Sequence, residues 1–281
     1  MTQHWIGVFC GLASALVWGG GDFSGGVASR KHHPFQVLAW SAISGSLLLL
    51  LLVWLTGEGW PPAGDMIWAG AAGLAGAIGI MGLYRGLAEG QAAVVAPLAA
   101  VLSATIPAGF SLLTEGLPSL VRLVGIGLAI VGIWFTSQGV DGSGRANRLA
   151  VSLAVVAGLG FGGFFILLSQ VQSNAIFTPL LITRLVNLLL AFVLLKVGRL
   201  GLPQPRQTPI ALLAGLLDVG GNLFFMLAQQ YTRLDVASVL ASLYPATTVL
   251  LAYFLHKERI SAGQWAGAGL CLLAVIGIAI G

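Results

Sequence analysis

Five ionisable or strongly polar side chains stand inside otherwise apolar stretches of this sequence: Asp22, Arg184, Asn187, Asp218 and Asn222. Holding a charge in hydrocarbon costs several kcal/mol, roughly 3 on insertion scales, so such groups pair with one another or face a cavity. A carboxylate and a guanidinium in that setting can bind the ammonium and carboxylate of a small solute or carry a proton. Asp218 and Asn222 are four residues apart and share one helix face. Two readings of Arg184 and Asp218 stay open: a buried pair that only fixes helix packing, or a substrate or proton site. Asp22 lies nearer the end of its stretch, where a solvated mouth suits it as well as a coupling role.

Enzyme chemistry finds no comparable footing. The four histidines, His4, His32, His33 and His256, fall at helix ends or in loops, and neither a His-Glu-x-x-His pair nor a Gly-x-Ser-x-Gly elbow is present. Gly158-x-Gly160-x-x-Gly163 has the spacing of a dinucleotide fingerprint, but it sits in an apolar run that follows no strand. The sequence therefore predicts no catalytic residue, no metal and no cofactor.

The elements that hold these residues follow from composition. Apolar residues make up 57% of the chain and charged residues 8%, with a mean hydropathy of +0.95. That leaves too little polar surface to wrap a soluble globule, so the chain is expected to be an all-α integral membrane protein. Ten apolar runs near 5–27, 35–55, 66–88, 92–113, 120–138, 149–170, 177–196, 209–231, 235–255 and 262–280 have about the length that spans a bilayer. The first begins without a basic leader and reads as a retained helix. Cys10 and Cys271 lie inside such runs and read as small buried hydrophobes.

Ten arginines and lysines lie in the connections after odd-numbered runs, against Arg122 and Arg233 after even-numbered ones. The positive-inside rule then puts the odd connections in the cytoplasm and both termini outside. This topology accounts for the net charge of +4, so no nucleic-acid partner is implied.

The chain also repeats itself. Leu234–Ile260 echoes Glu89–Leu117, each an apolar run with an internal proline (Pro245, Pro107) and a closing glutamate, Glu258 and Glu115, 143 residues apart. Trp18-Gly19-Gly20 answers Phe161-Gly162-Gly163, and Pro34 answers Pro179. A period of half the chain is a duplication, with expected units 1–140 and 149–281 joined by a linker at 141–148. Five spans per unit is an odd number, so the two units should be inverted.

Two further features suit a carrier. Proline inside the fourth and ninth runs should break the helix, and unpaired backbone at membrane depth is tolerated where protein or water satisfies it. Ser242 and Tyr244 flank Pro245 near the midplane, where inverted-repeat carriers bind cargo. Trp18 and Phe165 offer aromatic surface beside Asp218, Asn222, Ser242 and Tyr244, whereas Asp22, Tyr84 and Arg184 suit a gate or coupling role. The glycines at 70, 73, 76, 79 and 82, three apart, read first as a packing groove.

The closing glutamates in Leu113-Thr114-Glu115 and His256-Lys257-Glu258, the following Gly125 and Gly267, Trp18-Gly19, and Arg184 after Pro179 resemble the EamA-type branch of the drug/metabolite transporter superfamily. That resemblance runs end to end, and within the branch it points to bacterial exporters of aromatic and neutral amino acids. It implies a ten-helix basket with helices 1, 3, 4, 6, 8 and 9 around a central cavity and helices 5 and 10 to one side. The function it implies is a secondary carrier in the bacterial inner membrane, exporting a small-molecule substrate, with a monomer sufficient. A lipid-carrier flippase, or an exporter of another metabolite or drug, is the alternative. Ala39 stands where the first unit would carry an arginine answering Arg184.

Overall fold

In the computed structural model the described residues are 2–88, 92–137, 148–257 and 261–280. They form eleven α-helices and no strand: α1 (Thr2–Ser29), α2 (Pro34–Thr56), α3 (Ala63–Ala88), α4 (Ala92–Thr114), α5 (Leu120–Ser137), α6 (Arg148–Leu168), α7 (Phe177–Val197), α8 (Pro209–Tyr231), α9 (Leu234–Ala241), α10 (Tyr244–His256) and α11 (Ala262–Ile280). A single 3-10 turn, Pro205–Gln207, precedes α8. Among the described residues eight stretches are long and apolar enough to cross a membrane, and Leu98–Thr114 and Leu120–Thr136 add two shorter apolar helices.

Local chemistry sets the helix ends. Pro34 opens α2 behind a capping box, in which the Phe35 N–H donates to His33 Nδ1 (3.3 Å) and the His33 N–H donates to the Gln36 side chain (3.0 Å). The same helix closes on Gly57 at φ 65°, a left-handed position that glycine fills without strain. Pro209 opens α8 and Pro179 sits in the first turn of α7, whereas Pro118 lies ahead of α5 and outside its first turn. The two interior prolines behave differently. The ninth run breaks between α9 and α10 at Ser242 and Leu243, just ahead of Pro245, while α4 continues through Pro107.

Large apolar side chains cover the outside, Trp54 and Leu113 being 78% and 88% exposed, and this inverts the pattern of a water-soluble protein. Small residues mediate the contacts inside. Along α3, Gly76, Gly79 and Gly82 meet Phe164, Phe161 and Ala157 of antiparallel α6. A methyl group added at Gly160 would lie 2.5 Å from the backbone nitrogen of Gly79. The glycine stripe is thus a packing seam, the membrane counterpart of a tight helix crossing.

The helix contacts form a symmetric set. α1 packs chiefly on α8 as α6 does on α3; α2 touches α8 as α7 touches α3; α4 lies on α6 as α9 and α10 lie on α1. α5 packs chiefly on α11, with Gly125 against Ile278 and Gly132 against Cys271. Both cysteines are buried and free.

The bundle has two chemically distinct ends. The α1–α2 and α7–α8 connections, with Arg30, Lys31, Arg199 and Arg206, occupy the basic end and touch each other through His32 to Gln207 (3.1 Å) and Gln36 to Gly201 (2.6 Å). At the opposite end the α2–α3 connection meets the α6–α7 connection: Glu58 accepts from the N–H groups of Ile176, Phe177 and Thr178, and Asp65 from those of Gln172 and Ser173. Arg233 there donates to the carbonyls of Glu115 and Gly116 (3.0 and 2.6 Å) and pairs with Asp235.

Candidate functional site

A cavity of about 640 Å³ runs from mid-depth, at Trp18, Asn187 and Asn222, to the basic end, at Ser29, Pro34 and Leu83. Away from the basic end its floor is a packed layer that includes Cys10, Leu49, Phe165, Leu168, Leu181 and Phe225. Beneath that layer lie the Glu58, Asp65 and Arg233 contacts, so the cavity ends blindly there.

Helical spacing explains the polar lining. Asp22 follows Trp18 by one turn of α1, Asn187 follows Arg184 on α7, Asn222 follows Asp218 on α8, and Thr248 follows Tyr244 on α10, and all eight line the cavity. Arg184, 5% exposed, forms an ion pair with Asp218. Asn222 Nδ2 donates to the Asp218 carbonyl (2.6 Å) and to its carboxylate (3.2 Å), and the Trp18 indole N–H donates to the same carbonyl (3.3 Å). Trp18 lies against Gly221, where any side chain would collide with its ring. The indole is held by both contacts.

Aromatic rings form the adjoining wall. Trp18 and Phe165 are 5.6 Å apart, Phe165 and Phe225 4.5 Å, and Trp18 and Phe225 6.0 Å between centroids. Phe161 and Phe164 carry that wall toward the basic end.

Of the residues singled out from the sequence, Trp18, Asp22, Phe165, Arg184, Asp218, Asn222 and Tyr244 come together around this one cavity. Ser242 does not. It caps the C-terminus of α9 with no exposed surface, because the break that frees Tyr244 turns Ser242 into the packing. The Tyr84 side chain lies outside the described residues, as do Glu258 and most of the expected linker. The wall is also broader than expected: α2 contributes Val37, Leu38 and Ser41, and α7 contributes Thr183, Arg184 and Asn187, while α5 and α11 stay out of it.

Sequence reasoning passed over Phe161, Phe164 and Thr248. Phe161 was nevertheless signalled, since it answers Trp18 in the duplication, and Thr248 stands four residues after Tyr244. No group of three or more metal-ligating side chains occurs among the described residues.

The site arrangement can bind a small solute carrying both apolar and charged parts, with access from one end only. Among known proteins, the chain is 25% identical over 287 residues to an inner membrane transporter of Escherichia coli, YedA, described as uncharacterized; the match covers 96% of this chain and 89% of the relative. The same protein in two other strains of that species matches to the same extent. A crystal structure superposes with a TM-score of 0.75 at 14% identity, covering 96% of this chain and 95% of the other, and thereby supports the fold. The profile of the EamA-like transporter family matches twice, at residues 5–138 and 148–280, and the chain belongs to that family.

Proposed function

We propose that the protein is a secondary transporter of the bacterial inner membrane that exports small amphipathic metabolites, aromatic and other neutral amino acids foremost, by alternating access. One observation carries this reading: a single cavity lined by charged, amide and aromatic groups from both halves, reaching mid-depth from one end and blocked at the other. Alternating access needs such a blind cavity, with a second state open to the other end.

Inverted five-helix units supply the second state in this reading. Its support is the exchange symmetry of the helix contacts, the two matches of one family profile, and the antiparallel course of α6 along α3. The units span 1–140 and 149–281, and one chain is enough to form the pathway. The basic end faces the cytoplasm by the positive-inside rule, which makes the described state inward-facing and puts both termini outside.

Purified protein in liposomes preloaded with one unlabelled amino acid tests the proposal. Labelled phenylalanine, tryptophan or leucine should accumulate by counterflow. Absence of counterflow for every amino acid in the panel, with folded protein confirmed, refutes the amino-acid assignment. A lipid-scrambling assay on the same vesicles reads out the flippase alternative.

A further inference from the structure

The ion pair between Arg184 and Asp218 has a consequence for the charge of the cavity. Among the described residues three charged side chains line it: Asp22, Arg184 and Asp218. Arg184 and Asp218 neutralise each other, and Asn222 further occupies the Asp218 carboxylate. The remaining charge is Asp22. Its side chain is exposed to the cavity, and it has no hydrogen-bond or ion-pair partner among the described residues.

We infer that Asp22 is the counter-ion for a protonated amine on the transported molecule, and that the cavity accepts a monocationic aromatic amine more readily than a zwitterion of the same shape. This rests on the carrier reading above and narrows it: within that reading the aromatic amine ranks ahead of the amino acid of the same shape as cargo. A monocation beside Asp22 brings the lining to neutrality, whereas a zwitterion leaves one negative charge uncompensated. The carboxylate of a zwitterion would also have to compete with Asp218 for Arg184, the only cation in the described lining. A second observation points the same way. Asn187 Oδ1 is buried against the cavity with no hydrogen-bond partner, and an acceptor left in that state is matched by an N–H donor.

The surroundings suit the rest of such a molecule. Trp18 lies one turn deeper than Asp22 on the same face of α1, with Phe165 beside it and Phe161 and Phe164 lining the wall back toward the basic end. An aromatic body can pack on those rings while its ammonium stays beside the carboxylate. Asp22 also lies toward the basic end, where a cationic solute entering from that side meets it first.

Three probes with one phenyl-ethyl skeleton test the inference: 2-phenylethylamine as cation, phenylalanine as zwitterion and 3-phenylpropionate as anion. Binding to the purified full chain is measured by isothermal titration for wild type, Asp22→Asn and Asp22→Glu. The amine should bind about tenfold more tightly than phenylalanine, the scale of one charge-assisted hydrogen bond, and the anion weakest. Asp22→Asn should abolish that preference, and Asp22→Glu should retain it. Phenylalanine binding as tightly as the amine, or a preference unchanged in Asp22→Asn, overturns the inference while leaving the carrier reading standing. Failure of all three probes to bind folded wild-type protein overturns this inference together with the assignment of aromatic amino acids as cargo.

Discussion

Arg184 of α7 and Asp218 of α8 form an ion pair across two helices that otherwise touch little, and the pair is wall and cavity lining at once. The guanidinium is nearly buried, its side chain 7% exposed, while the carboxylate side chain is 36% exposed. Removing the partner of a buried charge costs more than removing the whole pair. Asp218→Asn should therefore destabilise the protein by about 1–3 kcal/mol, a range reduced from that of a fully buried pair because water reaches Asp218. The double variant Arg184→Gln/Asp218→Asn should recover part of that loss. Thermal unfolding in detergent reads both, and counterflow normalised to folded protein shows whether the pair also serves transport. A double variant less stable than Asp218→Asn would contradict an uncompensated guanidinium as the cause.

The close crossing of α3 and α6 predicts a sharp contrast between glycines. A Cβ at position 160 would press on backbone atoms of Gly79 at 2.5 and 2.6 Å, and backbone cannot swing aside as a side chain can. Gly160→Ala should separate α3 from α6 and cost about 1–3 kcal/mol or more. Gly127→Ala, with nothing within 4 Å of the added carbon, should be neutral. Fluorescence-detected size-exclusion of the two variants compares their folded fractions.

The reporter test of topology follows from charge. Among the connections, ten arginines and lysines fall on one side and two on the other, a bias that sets orientation. A reporter active only in the cytoplasm should be silent when fused after Gly281 and active when inserted at Gly201, in the exposed α7–α8 connection. The reverse pattern would invert the assignment of the basic end.

The spans were legible because crossing a bilayer requires length and apolarity, and both are properties of single segments. The polar lining was legible for a related reason: Asp22, Arg184, Asp218 and Asn222 are conspicuous where every neighbour is apolar. What composition could not supply was direction around the helix. Phe161, Phe164 and Phe165 sit in one run of glycines and apolar residues, and only the packing of α3 against Gly160 decides which rings reach the cavity. Ser242 failed for the same reason, since a two-residue break rotates it away from its neighbour Tyr244. The pairing of Arg184 with Asp218 was legible as one of two readings, since an unpaired charge in an apolar stretch is costly, and the packing of α7 beside α8 brings the two side chains together. Nothing in the local sequence marks Glu58, which lies in a connection, although it anchors the start of α7.

That anchor gives a prediction with a definite pH dependence. Partial burial of Glu58 would by itself raise its pKa, but hydrogen bonds from the N–H groups of Ile176, Thr178 and Phe177 and from the Thr178 hydroxyl outweigh it and hold the carboxyl below the usual glutamate range. These contacts place a negative charge at the N-terminus of α7, where free N–H groups and the helix dipole favour it. A carboxylate whose folded-state pKa is depressed stabilises the fold above the ordinary glutamate value, and the contribution fades as pH falls through the depressed value. Glu58→Gln keeps the shape and removes the charge, so it should lower stability at neutral pH by about 1–2 kcal/mol. The gap between wild type and variant should narrow on acidification, because protonated Glu58 then resembles the amide. Thermal unfolding midpoints of both proteins across an acid-to-neutral series measure it. A gap that stays constant over that series would mean that Glu58 holds α7 by shape and not by charge.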